Sequence, residues 1–425
     1  MTPQRKRVVV TGIGAVTAVG ETAQETWNGL LEGRSGVRSG STLFDTSDYP
    51  VQISAEVGSF EPRRFMDFKE ARRMSRFSQF AVVAAREALV NSHLLPDEAE
   101  AGTQIDGVES SRAGTIIGTC VGGFVEVRNG TQVFLEKGYR RVGPMFIPRM
   151  LHNAAAANVS HQFGLRGHNS TTTTACAAGA QAIGDAIEAI RHGRADVMVA
   201  GGTEAPICDV GLAAFWSTGA MSTSRDGSPE TASRPFDLNR DGLVIGEGAA
   251  CLVLERLEHA LARSAPIFAE VSGFGSSGDA YHLTAPEPSG SGEVRAMRWA
   301  LEDADLTVND VDYISAHATS TPIGDAIETL AIKSLFGEAA YGIPVSAAKS
   351  MIGHTIGAAG AIEAVSSIMT IVDGKIHPTT NYDRPDPECD LDYVPNEARQ
   401  ADTSVVLSNS LGMGGQNASL VFSRY

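Results

Sequence analysis

The reactive side chains of this 425-residue chain fall into a few short motifs, and Cys176 is the most suggestive of them. It follows four consecutive threonines, Thr171 to Thr174, and precedes Ala177-Ala178-Gly179-Ala180. β-Branched residues favour extended backbone, and the small residues after them leave room for a sharp turn into a helix. Ile183, Ile187 and Ile190 then share one face while Gln181, Asp185 and Glu188 share another, as in a packed amphipathic helix. A thiol at such a helix start meets unpaired amides and the positive end of the helix dipole. Cysteines so placed have pKa values of roughly 3.5 to 7.5 instead of about 8.5. The chemical reading is a nucleophile, and a small core thiol among alanines fits the same residues.

Partners for such a thiol lie in the C-terminal part. Asp312-Tyr313-Ile314-Ser315-Ala316 reads as a strand ending at His317, and Thr319, Ser320, Thr321 and Pro322 lead into a helix carrying Asp325 and Glu328. A histidine at the carboxyl end of a strand stands where α/β sheets place ligands. Lys349-Ser350-Met351-Ile352-Gly353-His354 repeats that placement, with Gly357 to Gly360 opening a close-packed helix. Last comes the strand Val405-Val406-Leu407-Ser408-Asn409-Ser410. It runs into Leu411-Gly412-Met413-Gly414-Gly415-Gln416-Asn417, a turn able to aim backbone amides at a developing oxyanion.

The elements that position these groups recur. Val8-Val9-Val10 followed by Gly12-Ile13-Gly14 predicts a buried strand ending in a glycine turn, and the strand and G-x-G of residues 268 to 275 repeat it. Val345-Ser346-Ala347-Ala348-Lys349 and its Gly/Ala-rich helix repeat the architecture around Cys176. The chain therefore predicts two duplicated α/β halves, residues 1–263 with the cysteine and residues 264–425 with both histidines. A nucleotide-binding phosphate loop is not predicted, because Thr17 stands where the third glycine of G-x-G-x-x-G belongs. Residues 62 to 92 read as helical, and Lys69, Arg72 and Arg73 form a compact basic spot there, a solvated face or a docking site. From Val121-Gly122-Gly123 to about Pro148 the pattern is poor, as in a lid or subunit contact. Further strands are expected at residues 115–118, 195–204 and 249–254, with a turn-rich stretch from 222 to 242.

With 43% hydrophobic and 20% charged residues, the chain has the composition of an ordinary soluble protein. Its net charge of −16 argues against non-specific nucleic-acid binding and against attraction to an anionic membrane surface. The five cysteines are odd in number and widely spaced, predicting neither a zinc site nor a disulfide framework. The basic first seven residues lead straight into Val8-Val9-Val10, leaving no apolar core for a signal peptide, and no run approaches the roughly 18 apolar residues of a membrane span. A cytoplasmic location is expected.

Taken together, Thr-Ala-Cys-Ala-Ala-Gly around Cys176, Ala-His-Ala-Thr-Ser-Thr-Pro-Ile-Gly-Asp from Ala316, Lys-Ser-Met-Ile-Gly-His from Lys349 and the terminal Asn-Ser-Leu-Gly-Met-Gly-Gly resemble the beta-ketoacyl-acyl carrier protein synthases. The likeness covers essentially the whole chain and is greatest to the synthase II type and the ketosynthase subunits of type II polyketide systems. It implies a thiolase-like fold, duplicated halves in a five-layered α-β-α-β-α arrangement, and a dimer with a copy of itself or with a homologous chain-length-factor subunit. The implied reaction is a decarboxylative Claisen condensation. Cys176 would hold the acyl chain, the amides of Cys176 and Met413 would form the oxyanion hole, and His317 and His354 would donate hydrogen bonds to the malonyl thioester carbonyl. Lys349 and Glu328 match a supporting charge pair, and Thr319 and Thr321 match positions that bind the phosphopantetheine arm. Lys69, Arg72 and Arg73 match a docking helix for acidic acyl carrier protein. No tightly bound cofactor or metal is implied.

The chain departs from the family at Leu411 and Met413, where phenylalanines are usual and the second gates the acyl pocket, at Ala318 for a usual glycine, and at Gln416 for a usual threonine. These changes leave acyl length, number of elongations and fatty-acid versus polyketide pathway open. A thiolase would need a second cysteine in the terminal glycine turn, which has none. A non-catalytic chain-length factor would lack Cys176, and an oxidoreductase rests on the G-x-G alone.

Overall fold

A computed structural model describes residues 6–99, 102–223 and 228–425. Most of the basic start, residues 1–5, and residues 224–227 of the turn-rich stretch lie outside the described residues. The strands of the main sheet repeat one pattern twice. In the first half β1 (Val8–Val16), β2 (Ala113–Gly118), β3 (Asn169–Thr172), β4 (Val197–Glu204) and β5 (Gly248–Arg256) lie side by side as β1-β5-β4-β2-β3. In the second, β6 (Ala269–Gly278), β7 (Tyr313–Ser315), β8 (Val345–Ser346), β9 (Val405–Gly412) and β10 (Gln416–Ser423) lie as β6-β10-β9-β7-β8. The third, second and fourth strands of each half run parallel, and the fifth and first are antiparallel to their neighbours. The halves join at β1 and β6 through Val9–Glu270 and Val10–Ala269.

Helices complete five α-β-α-β-α layers. The central pair, Ala178–Arg191 and Ala359–Asp373, pack on each other and on strands of both halves. Arg76–Asn91 covers the outer face of β1, β4 and β5, and Ser291–Asp303 covers β6 and β10. Every residue from Ala359 to Ile371 is buried. This corrects the expectation about apolar runs, because Ile356–Asp373 is 18 residues long with a mean hydropathy of 1.4, enough to cross a membrane by length and composition. It is instead a core helix, 89% buried, whose glycines, serines and Glu363 interrupt the apolar run in the sequence.

The predicted glycine turns are absent, because β1 runs straight through Gly12-Ile13-Gly14 and β6 through Gly273-Phe274-Gly275. A methyl group on Gly12 or Gly14 would lie 1.9 or 2.1 Å from the carbonyl oxygens of Ala88 and Ala84 in the covering helix. On Gly273 or Gly275 it would meet Ala300 and Ala296 at 2.1 and 2.2 Å. The glycines let each outer helix lie directly on its strand, so the duplication extends to packing. The stretch expected to be helical from 62 to 92 is broken into Pro62–Arg64, Phe68–Ala71 and Arg76–Asn91. Conversely, the poorly patterned stretch after Gly123 holds helices Phe124–Lys137 and Phe146–Met150. None of the residues of the first is buried, and Phe134, Leu135 and Ile147 are exposed, so no inward stripe marks them in the sequence.

Candidate active site

β3 ends at Thr172, and after Thr173 and Thr174 the chain turns at Ala175, whose φ of 50° is left-handed, into a single 3-10 turn, Ala175–Ala177, before the central helix begins at Ala178. Cys176 stands in that turn, 9% exposed. Gly412, at the end of β9, packs against it so closely that an added methyl would lie 3.2 Å from the Cys176 amide nitrogen. The backbone amides of Met413 and of Cys176 itself lie near enough to the sulfur to favour its thiolate. Burial nevertheless pushes the Cys176 thiol up to about 11, against the pull of Lys349 and those two amides. The resting thiol is therefore protonated, where the helix start alone predicts a thiolate.

His354 Nε2 lies 3.0 Å from Cys176 Sγ. The His354 backbone is fixed by donation to Val244 O and by acceptance from Gly246 N. His317 meets His354 edge to face, with ring centroids 5.3 Å apart. Lys349 Nζ, 1% exposed, reaches His317 Nδ1 at 3.4 Å. An ammonium only donates, so Nδ1 accepts and the His317 proton sits on Nε2. Burial first, and the Lys349 charge second, hold both imidazoles well below 6.5, so both are neutral at neutral pH.

The expected Lys349–Glu328 pair is not the ion pair formed. Lys349 Nζ pairs with Glu363 Oε1 from the second central helix, a lone carboxylate in an apolar run that no motif singles out in the sequence. Glu328, nearly two turns into the helix Pro322–Phe336, instead accepts the backbone N–H groups of His317 and Ala318, each at 2.8 Å. That clamp holds a loop in which Ala318 and Ser320 have φ of 22° and 67°. Ala318 occupies a conformation suited to glycine, as its departure from the family pattern anticipates. A second unanticipated carboxyl, Glu204 at the end of β4, accepts from Thr119 Oγ1 at 2.9 Å and from the amides of Cys120 and Gly357 at 2.6 and 3.1 Å. It ties the end of β2 to the start of the second central helix, and burial pushes it up to about 7.

Cys176, His317, His354, Thr319, Thr321, Leu411 and Met413 line one cleft of 480 Å³. The two threonine hydroxyls are 3.1 Å apart, and Thr321 also caps its helix by accepting from Gly324 N. Lys69, Arg72 and Arg73 are not in the cleft wall. All three are exposed on Phe68–Ala71 and the turn after it. All five cysteines are free, and no cluster of metal-ligating side chains is found among the described residues. The arrangement offers a neutral thiol against a neutral imidazole, a second imidazole N–H, and two amides beside the sulfur.

Residues 5–260 match the family description "Beta-ketoacyl synthase, N-terminal domain", and residues 268–383 match "Beta-ketoacyl synthase, C-terminal domain". Over 422 residues, 99% of this chain and of each relative, the chain is 47% identical to 3-oxoacyl-[acyl-carrier-protein] synthase 2 of Synechocystis sp. and to that of Staphylococcus aureus strain N315. Among solved structures it superposes with a TM-score of 0.90 and 35% identity on a type II PKS ketosynthase in complex with its acyl-carrier protein, over 99% of this chain and 100% of that one. The ishigamide ketosynthase/chain length factor gives 0.89 and 38%, and a beta-ketoacyl synthase from Burkholderia phymatum 0.88 and 39%, each over 99% of this chain and 100% of the other.

Proposed function

The chain belongs to the beta-ketoacyl synthase family, and from that membership and its cleft we propose that it lengthens acyl chains by decarboxylative Claisen condensation on acyl carrier protein. The carrying observation is the Cys176 thiol 3.0 Å from a buried neutral imidazole, with a second imidazole meeting the first edge to face. The sulfur attacks the acyl thioester, its proton ends on the leaving pantetheine thiolate, and an acyl-Cys176 thioester results. The amides of Cys176 and Met413 hold the oxyanion of each tetrahedral intermediate. The malonyl thioester then loses carbon dioxide, and its enolate oxygen is held by the N–H groups of His317 and His354. The carbanion attacks the acyl carbon, the Cys176 thiolate is expelled and takes up a proton from solvent, and the chain is two carbons longer. Neutral imidazoles suit this step because each gives a donor without a buried charge.

Lys349 with Glu363 fixes the His317 tautomer, Glu328 fixes its backbone, and Thr319 and Thr321 take the pantetheine arm. Lys69, Arg72 and Arg73 receive the acidic carrier protein. The exposed apolar face of Phe124–Lys137 and Phe146–Met150 suits a dimer contact, the duplicated halves divide near residue 264, and a cytoplasmic location fits.

A second reading is the catalytic subunit of a type II polyketide heterodimer, favoured by Leu411 and Met413 at the gate and by the likeness to ketosynthases solved with chain length factors. Purified protein offered acyl- and malonyl-acyl carrier protein separates the two. A homodimer that elongates unaided supports chain elongation by the protein alone. Inactivity restored by a homologous second subunit supports the heterodimer, and failure under both conditions overturns the condensing function.

A further inference from the structure

Glu293 stands in the first turn of the helix Ser291–Asp303 and lines the same cleft as Cys176. It is 5% exposed, and its Oε2 is buried with no hydrogen-bond partner. The charges acting on it are carboxylates: Glu328, Asp279 and Glu287. All three of these neighbours are answered, Glu287 by the amides of Ser289 and Ser291. Asp279 accepts from Asn417 Nδ2 at 2.6 Å and from the Glu287 amide, and Glu328 accepts two backbone amides. Glu293 is left without such an answer. Burial and its negative neighbours hold its carboxyl well above the usual range, which leaves it neutral, with a hydroxyl to donate and an oxygen to accept.

Buried polar groups in folded chains are nearly always paired, so an unpaired carboxyl on the wall of a binding cleft points to a partner that arrives with the ligand. Hydrocarbon laid over it would leave it unsatisfied, whereas a ligand oxygen at the same depth would restore the pairing. We propose that Glu293 selects among thioester substrates by hydrogen-bonding an oxygen of the bound substrate, so that a thioester carrying that oxygen is taken in preference to one without it. This rests on the condensing function above and specifies the substrate class of the same site. The oxygen has two sources, an oxygenated acyl chain or an amide carbonyl of the pantetheine arm. From the cost of an unsatisfied buried group, the preference is about 5- to 150-fold.

The test follows acyl transfer to Cys176 by intact-protein mass for wild type, Glu293→Gln, Glu293→Leu and Glu293→Met. The substrates are 3-oxo-, 3-hydroxy- and saturated acyl groups of equal length, each on pantetheine and on ethanethiol, which has no amide. With the acyl chain as source, wild type prefers the oxygenated chains and the Leu and Met variants lose that preference. With the arm as source, wild type loses rate from pantetheine to ethanethiol and those variants lose much less. Glu293→Gln, which keeps a donor and an acceptor, retains the wild-type ratio. Variants equal to wild type on every thioester overturn the inference, and so does an equal slowing on all of them, as a merely structural role would give. Malonyl thioester is then added to the same samples. Acylation without condensation overturns the proposed function, while the ratios still decide Glu293.

Discussion

Replacing Glu328 by Gln tests whether His317 acts through the clamp beneath it. The carboxyl accepts the N–H groups of His317 and Ala318, one on each oxygen at 2.8 Å. A glutamine keeps one acceptor and turns its NH2 toward the other N–H, so one buried hydrogen bond is lost and one donor is orphaned, a cost of about 3 kcal/mol. Over 425 residues the unfolding entropy is about 0.9 kcal/mol/K, so melting falls by roughly 3 °C. Ala318 and Ser320, both at positive φ, then relax and carry His317 with them. A donor displaced by about 1 Å costs on the order of 100-fold, so malonyl decarboxylation drops by about 10- to 100-fold. Acyl transfer to Cys176, which Glu328 does not touch, stays within about threefold of wild type on the same reasoning. Adding Ala318→Gly, which removes the strain, recovers part of the loss. Decarboxylation and melting equal to wild type, or an equal loss of both half-reactions, would refute the reasoning.

Three further outcomes follow from the same geometry. With both imidazoles held well below 6.5, decarboxylation of a malonyl thioester stays flat from pH 7.5 to 6.0. One unperturbed imidazole would lose about fourfold over that range and two more than tenfold, so a fall of that size contradicts the assignment. Lys349→Met removes the donor to His317 Nδ1 and orphans the Glu363 carboxyl, costing about 3–5 kcal/mol of stability and most of the decarboxylation rate. Lys349→Met that decarboxylates at the wild-type rate argues against that assignment. Reversing Lys69, Arg72 and Arg73 to Glu raises the Michaelis constant for carrier protein, most at low salt, and leaves decarboxylation of small malonyl thioesters unchanged. A constant that does not move removes these residues from the docking surface.

Much of the site is legible in the sequence because its groups sit at strand ends flanked by small residues. Thr171 to Thr174 mark β3, the alanines after Cys176 mark a helix entering a crowded core, and His317 follows a short apolar strand, whereas His354 comes after the short helix Lys349–Ile352 and not at the strand end its sequence predicts. What the sequence hides is set by tertiary partners. The glycines at 12 and 14 look like a turn but serve a helix lying on β1, because a missing side chain has the same signature in both cases. Lys349 finds Glu363 across the core, and which of several carboxylates answers it depends on how the second central helix is rotated. The Cys176 thiol follows the same logic. The helix start is visible in the sequence, while the burial that outweighs it is not. The helices Phe124–Lys137 and Phe146–Met150 escape detection because their apolar side chains face outward.

The central claim is that Cys176 carries the acyl chain while His317 and His354 handle the malonyl unit. Intact-protein mass after mixing with acyl-acyl carrier protein, followed by malonyl-acyl carrier protein, tests it directly. The wild type gains one acyl group and loses it on elongation, Cys176→Ala gains none, and His317→Ala and His354→Ala still gain it but retain it when the malonyl thioester arrives. An acyl group held by Cys176→Ala, or elongation at the wild-type rate by either histidine variant, would contradict the account.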